Sequence, residues 1–508
     1  MVEIDPSGFD FLGDVENVVL KVGGENAADV PGTVATVKAI LETGRRVIPV
    51  FSAPRAGAYS PTDQLVALAD HVAGGTGPVE GRLRGYQQEL EDICGHMQGF
   101  MTGSLSALPD AQKARWGQII RDKIEQRGTA FDGSLEEAAR MPAHWASTRF
   151  IQHGRDRLYH ANNQEAVTFT GLGELASADV YAALFEELGM DARVLNTQAL
   201  APQAFFAGPE SPQDLARKAS LLGDPLAGIR SLWSELDEVS RNTLVCLPGY
   251  APGVAYSKGY SDVLAMICAR ARTNLETAVV IAKQWPIWSR DPRSGKGQLV
   301  PHVNRNFASN LFEDNGGKAA ALHPDAVDWL SSEIDVFVTN PSQFDRGVTR
   351  ITASPLHGRA PRVDTVAVTP VPAAVLVKGG GMADRPGVFS AILSQFGAVS
   401  IGHAPSDALT VLVTFHEAAA LERLPALRAA LSSMGNFEVD PVERHSWIHC
   451  LGNHLDGRVK GQAQICLADA KVSGDWSIGS PGGIKFLVPN DSVQIGVNAL
   501  HDGLIRPY

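Results

Sequence analysis

A lysine set among apolar neighbours and followed at once by two glycines marks where this chain can do chemistry: residues 18–27 read VVLKVGGENA. Glycines lack Cβ, so backbone N–H groups beside Gly23 and Gly24 can approach a phosphate closely. A helix beginning there adds partial positive charge, and Lys21 supplies a full one. A glycine pair can also serve only to turn the chain, and a lysine can simply be solvated. Lys21, however, lies between Leu20 and Val22, where an unpaired solvated lysine is out of place. Phosphate binding is the functional reading of this stretch.

The elements that would position it are read from hydrophobic periodicity. VVLKV, the glycine pair, the helical stretch TVATVKAILETG and the run VIPVFSA read as strand, turn, helix and strand of a parallel α/β sheet. From about residue 63 to 150 the apolar spacing is helical, as in YQQELEDICGHMQGFM and QKARWGQIIRDKIEQ, which predicts a helical insertion. Strands are expected at AVTFT, ARVLNT, TLVCLPGY, AVVIAKQ and DVFVT. A polar, proline-bearing stretch, SPLHGRAPRVDT, then separates a first domain from the C-terminal part of the chain. The expected division is a catalytic domain over 1–353, a linker over 354–366 and two small α+β units over 367–508. In the last unit, DSVQIGVN (491–498) has a strand pattern.

Composition sets the outer limits. A chain of 508 residues, 44% hydrophobic and 20% charged, can bury several cores. Its net charge of -12 gives no bulk attraction to nucleic acid or anionic lipid, so an anionic substrate must be captured by a few local cations. Five scattered cysteines without a CxxC pair fit a reducing compartment and make a zinc site improbable. The first residues are acidic and no run approaches eighteen apolar residues, so the expectation is a cytoplasmic protein with no membrane partner.

Several stretches, in one order, resemble the aspartate kinase (aspartokinase) family. The family's KFGGTSV is similar to Lys21–Ala27 (KVGGENA). Its VSAM and T(D/N)xL are similar to Phe51-Ser52-Ala53-Pro54 and Thr62-Asp63-Gln64-Leu65, and its GExLSA to residues 173–178 (GELASA). GRGGSDTTA corresponds to 257–262 (SKGYSD), TDVDGVYTADPR to 282–293 (AKQWPIWSRDPR) and GAKVLHP to 317–324 (GKAAALHP). Residues 378–388 (KGGGMADRPGV) resemble the signature of the family's ACT domains.

The resemblance implies an amino-acid-kinase fold, a mostly parallel central sheet flanked by helices and carrying a helical insertion, followed by two ACT-type domains. It implies ATP-dependent phosphorylation of the side-chain carboxylate of L-aspartate, with Mg²⁺ on the phosphates, feedback by an amino acid held by the ACT-type domains, and a homo-oligomer. Lys21 and Lys318 would be the catalytic cations. Ser52, Thr62, Glu174, Lys258 and Asp262 would hold the substrate, with Glu174 and Asp262 taking its α-ammonium. Gly23, Gly24, Glu25, Ser261, Trp288 and Arg293 would line the nucleotide. Five of these also have a structural alternative: Ser52, Thr62, Glu174 and Asp262 as helix caps, and Trp288 as core. The effector site would lie near residues 382–388.

Three departures from the family pattern bear on the substrate. Glu25 and Asn26 replace small hydroxyl residues of the phosphate loop, Lys258 replaces an arginine, and Ala282-Lys283 replaces a Thr-Asp pair. An unpartnered carboxylate at Glu25 would be unfavourable beside phosphates, so it needs a metal ion or a cationic group next to it. These changes keep open a paralogue acting on another amino acid or related small molecule, and a catalytically silent amino-acid-sensing subunit.

Overall fold

The computed structural model describes residues 3–57, 59–74, 78–140, 171–195, 243–249, 261–271, 276–290, 297–305, 307–308, 322–327, 329–332, 334–353, 362–379, 401–403, 410–415, 418–453, 455–474, 476–480 and 483–505. These residues form two compact units. One holds the described residues of 1–287 and 321–354, the other those of 288–320 and 355–508.

The first unit is built on parallel strands. β1 (Asn17–Val22) is buried at every position, as expected of a continuous apolar run covered on both faces. The glycine turn leads into the short α1 (Gly24–Ala28) and then α2 (Val30–Glu42). Asp29 caps α2 by accepting from the Gly32 N–H at 3.2 Å, and Pro31 stands in the first turn, where no intrahelical donor is needed. β2 (Arg46–Phe51) returns parallel to β1.

Three helices, α3 (Pro61–Gly74), α4 (Val79–Gly103) and α5 (Asp110–Arg140), form the helical layer that the periodicity of this region predicted. They pack through Leu90, Met97, Met101, Trp116, Ile120 and Ile124. α6 (Leu172–Glu187) is buried along most of its length, and Arg127 of α5 grips Asp179 of α6 through both guanidinium arms. β3 (Ala192–Val194), β4 (Leu244–Pro248), α7 (Ser261–Ala271) and β5 (Thr277–Ala282) come next. β6 (His302–Asn304) belongs to the second unit; α8 (Pro324–Val327), β7 (Ile334–Thr339) and β8 (Val348–Thr352) complete the first.

The strand order in this unit is β3-β4-β2-β1-β5-β7-β8, with every pairing parallel except β7 with β8. Of the five strands expected after β2, the four that reach described residues are present as β3, β4, β5 and β7; AVTFT (166–170) lies outside the described residues. β8 pairs antiparallel with β7, and its sequence does not stand out from its surroundings.

The second unit contains two four-stranded antiparallel sheets. β9 (Arg362–Val371) begins inside the stretch read as linker, and its Val363 and Val366 already lie in a core. β10 (Ala373–Lys378), β11 (Ile401–His403), β12 (Thr410–Phe415), α9 (Leu424–Ser432) and β13 (Glu438–Val442) come after it. β14 (His445–Asn453), α10 (Gly457–Asp469), β15 (Trp476–Ser480), β16 (Gly483–Pro489) and α11 (Val493–Leu504) end the chain.

One sheet has the order β11-β12-β10-β13 and the other β15-β16-β14-β9. The two ACT-type sheets are therefore interleaved: β9 precedes β10 in sequence yet completes the other sheet. Val371, Ala374, Leu412, Trp447 and Leu487 form a cluster contributed by strands of both sheets. Residues 491–498, read as a strand, instead open α11. Its buried residues Gly496, Val497, Leu500 and Leu504 recur at helical spacing, and that period outweighs the brief alternation of VQIGVN. Among the described residues no helix is long and apolar enough to cross a membrane.

Candidate active site

The carboxyl ends of parallel strands are where open α/β sheets gather ligand-binding groups. Here the ends of β1, β2 and β5 meet the first turns of α6 and α7. Lys21 projects from β1 and forms an ion pair with Asp262 in the first turn of α7, Nζ to Oδ1 at 2.7 Å. Both side chains are over nine-tenths buried, at 7% and 8% exposure. Asp262 also accepts from the His323 N–H at 2.9 Å through Oδ2. Burial alone would push the Asp262 carboxyl up, but Lys21, Lys283 and these hydrogen bonds outweigh it and hold the group below the usual carboxylate range.

Glu174 behaves in the opposite way. It enters in the first turn of α6, where Gly173 permits a close approach: a Cβ there would lie 2.5 Å from the Ala53 Cβ. Its Oε1 faces the Thr62 hydroxyl at 3.5 Å, while its Oε2 is buried without a hydrogen-bond partner among the described residues. Burial pushes the Glu174 carboxyl up to about 7, only partly opposed by the N–H groups of Glu174 and Ala53, the Thr62 hydroxyl and the charge of Lys21. An orphaned buried carboxylate oxygen is a ready receptor for a cation with N–H donors.

The framework holding these groups is tight. Tyr181 of α6 stacks on Phe51 of β2 with ring centroids 4.4 Å apart and donates to the Ala27 carbonyl at 2.9 Å. Ser52 and Ser261 share a hydrogen bond between their hydroxyls at 2.9 Å, linking the end of β2 to the start of α7. The Gly249 N–H donates to the Phe51 carbonyl at 2.6 Å, and a Cβ at Gly249 would collide with that carbonyl and with Ser261. Gly24 is constrained similarly, since its Cβ would stand 2.8 Å from the Ala53 carbonyl oxygen. Gly23 is less crowded and has extended backbone, so neither glycine of the pair is required by a positive φ.

Of the residues singled out from sequence, Lys21, Gly23, Gly24, Ser52, Thr62, Glu174, Ser261 and Asp262 all lie in the first unit. Within the chain, the cation beside Asp262 is Lys21. Glu25 finds its counter-charge within the chain: its Oε1 lies 3.3 Å from an Arg55 guanidinium nitrogen, both side chains being half exposed. No metal ion is needed to balance it. Trp288 falls in the second unit, where its carbonyl accepts from the Thr365 hydroxyl at 3.2 Å. Lys258, Arg293, Lys318 and residues 382–388 lie outside the described residues.

Two residues of the site were not singled out. Arg55 stands just after the FSAP stretch, and Lys283, read as a departure from a pattern, stands directly after β5. A lysine closing a buried parallel strand next to the one that bears Lys21 was the available signal.

The residues present suit an anionic phosphate tail, since Lys21, Lys283 and Arg55 cluster around the glycine turn. Among the described residues no group of three or more His, Cys, Asp or Glu side chains could cage a metal ion.

No protein-family model matches the sequence, and no curated protein matches it. Solved structures do. Aspartokinase III of E. coli in complex with lysine and aspartate, in its T-state, is 19% identical, with a TM-score of 0.65 over 97% of this chain and 100% of that one. The same enzyme with aspartate and ADP, in its R-state, gives 0.61 at 18% identity over 96% and 99%. The aspartate kinase of Clostridium acetobutylicum gives 0.59 at 15% identity over 97% and 100%. At these identities the likeness is one of architecture, and over nearly its full length the chain has the aspartokinase fold.

Proposed function

We propose that the protein transfers the terminal phosphoryl group of ATP to the side-chain carboxylate of L-aspartate, giving 4-phospho-L-aspartate, under feedback by an amino acid bound to the ACT-type sheets. The observation that carries this reading is the pairing of two opposed carboxylates around one buried lysine. Asp262 is ionised and holds Lys21, while Glu174 keeps an unpartnered oxygen for a cation. The fold shared with enzymes solved with aspartate and with ADP supports it.

In this mechanism Glu174 takes the α-ammonium of the amino acid, losing its proton as the cation arrives. Thr62 orients the Glu174 carboxylate, and Ser52 and Ser261 offer hydroxyls at the strand ends. A side-chain carboxylate oxygen of the substrate attacks the γ-phosphorus; the bond from that phosphorus to the β,γ-bridging oxygen breaks, and ADP leaves with the electron pair. Lys21, fixed by Asp262, stabilises the charge spread over the phosphoryl oxygens without reorganising. Magnesium, if bound to the nucleotide phosphates, would supply further charge neutralisation there.

A second reading, a paralogue with another acceptor, draws on the Glu25–Arg55 pair beside the glycine turn, which replaces the family's small hydroxyl residues with a charged couple. ADP release measured across a panel of α-amino acids separates the two. L-aspartate is expected to give the highest kcat/KM. A different amino acid ahead by tenfold or more would transfer the assignment to that acceptor, and no acceptor-dependent release would remove the kinase reading.

A further inference from the structure

Three cations surround the Gly23-Gly24 turn, and two of them are already spoken for. Lys21 is paired with Asp262 at 2.7 Å and Arg55 with Glu25 at 3.3 Å. Lys283 has no ion-pair partner among the described residues, although its ammonium lies within electrostatic reach of all four groups. The two pairs leave Lys283 as the cation of this group without an ion pair among the described residues.

Its placement is firmly determined. Val22 is in register with Ala282, which sets Lys283 beside Gly23. A Cβ on Gly23 would lie 3.2 Å from the Ala282 carbonyl oxygen and 3.8 Å from the Lys21 Nζ. The Lys283 N–H donates to the Thr339 carbonyl of β7 at 2.9 Å. The next carbonyl, that of Gln284, accepts from the Asn340 amide at 3.0 Å and from Arg346 Nη1 at 2.8 Å. The Arg346 guanidinium in turn lies 3.7 Å over the Trp285 ring centroid. Three consecutive residues are thus braced from β7 and the turn after it, as a group that must meet a ligand at a fixed position requires.

We propose that Lys283 is a phosphate-binding residue, the uncompensated cation that takes the phosphate tail of the nucleotide donor beside the Lys21–Asp262 pair. This rests on the nucleotide reading above and adds to it a residue, together with a pH signature of donor binding. Burial, together with the like charges of Lys21 and Arg55, pulls the Lys283 ammonium down to about 8 against the opposing pull of Asp262 and Glu25. The groups facing it are Lys21 from β1, Asp262 from α7, Glu25 from α1 and Arg55 from the segment after β2, while β7 presents the Thr339 carbonyl. A bound phosphate supplies the missing counter-charge and draws a proton onto the lysine.

Calorimetric titration of the full chain with ADP, in buffers of different ionisation enthalpy, tests this directly. At pH 8 binding takes up about half a proton, the share of a group near its midpoint, and the uptake vanishes at pH 6.5. Lys283→Met binds ADP at least about tenfold more weakly at pH 7, the scale of one charge-assisted contact, without linked uptake. Lys283→Arg retains affinity within about threefold, also without uptake, and guards against a folding defect in the methionine variant. Undiminished affinity in Lys283→Met, or unchanged proton uptake in Lys283→Arg, overturns the assignment while leaving the nucleotide reading in place. A parent protein that does not bind ADP overturns both.

Discussion

The two compact units differ in what they bury. In the first, the strand ends bury Lys21, Asp262 and the Oε2 of Glu174, groups whose desolvation opposes folding unless something compensates. In the second, three apolar clusters carry the interleaved sheets. Its Lys378 ammonium stays half exposed near Asp440 at 3.3 Å and Glu438 at 4.0 Å. The contrast locates function by physics: where a fold accepts costly buried charge, and leaves one oxygen without a partner, a ligand is the simplest reason for the arrangement. The second unit is not wholly apolar, since His449 and Lys485 face each other in the β14–β16 ladder and are buried.

The largest effect on this contrast comes from Lys21→Met. Phosphoryl transfer falls by at least about a hundredfold, the scale of losing one fixed transition-state charge. Stability also falls, by about 3–5 kcal/mol, because Asp262 is left buried without its cation. Chemical denaturation and turnover measure the two effects separately. Adding Asp262→Leu to Lys21→Met recovers most of the stability and none of the activity. A Lys21→Met protein as stable as the parent would show that Lys283 alone satisfies Asp262.

In the second unit, Trp447→Ala costs about 3–5 kcal/mol through the cavity opened in the cluster shared by both sheets. ADP affinity should stay within about twofold, since Trp447 lies outside the site. Loss of nucleotide binding in that variant would contradict the separation drawn between the two regions.

Glu174 gives the site its pH dependence. Its carboxyl is raised in the folded protein to about 7 from 4.5, so the native state binds the extra proton between those values. The sign has two consequences: the parent loses stability as pH rises through that window, and binding of an ammonium-bearing substrate strengthens over the same rise, levelling above about pH 8. Glu174→Gln removes the slope and weakens aspartate binding by about tenfold or more. A flat pH profile in the parent would remove Glu174 from the substrate site.

Lys283 supplies a finer test. Its folded value of about 8 lies below the usual 10.5, so the unfolded chain binds more protons between these values and parent stability rises with pH across them. Lys283→Met therefore melts higher than the parent at pH 7, and its advantage shrinks towards pH 10. Smallest of all, Lys378→Ala shifts stability by no more than about 1 kcal/mol, the range of exposed pairs.

How much of this could be read in the sequence varied with the range of the interaction. The strand, glycine turn and helix around Lys21 were legible because a buried apolar run and its glycines are local signals. The three-helix insertion was legible from its spacing. The Lys21–Asp262 pair was not, since no local pattern reports which carboxylate a distant helix will bring to a lysine. Glu25 looked like an unpaired anion because its partner, Arg55, sits after the next strand. Lys283 was discounted because comparison with a pattern registers a missing Thr-Asp pair and not the charge that replaced it. α11 was misread because Val493, Ile495 and Val497 alternate before the helical period of Val497, Leu500 and Leu504 declares itself. The interleaving of β9 depends on long-range pairing, which a strand's own residues do not encode.

Trapping of the product tests the phosphoryl-transfer reading most directly. Purified protein is incubated with ATP, magnesium, L-aspartate and hydroxylamine, and the hydroxamate formed from an acyl phosphate is measured beside the Lys21→Met variant. The expected result is hydroxamate that requires both ATP and aspartate and falls at least about a hundredfold in the variant. Nucleotide turnover without aspartate-dependent hydroxamate, or equal yield from Lys21→Met, would contradict it.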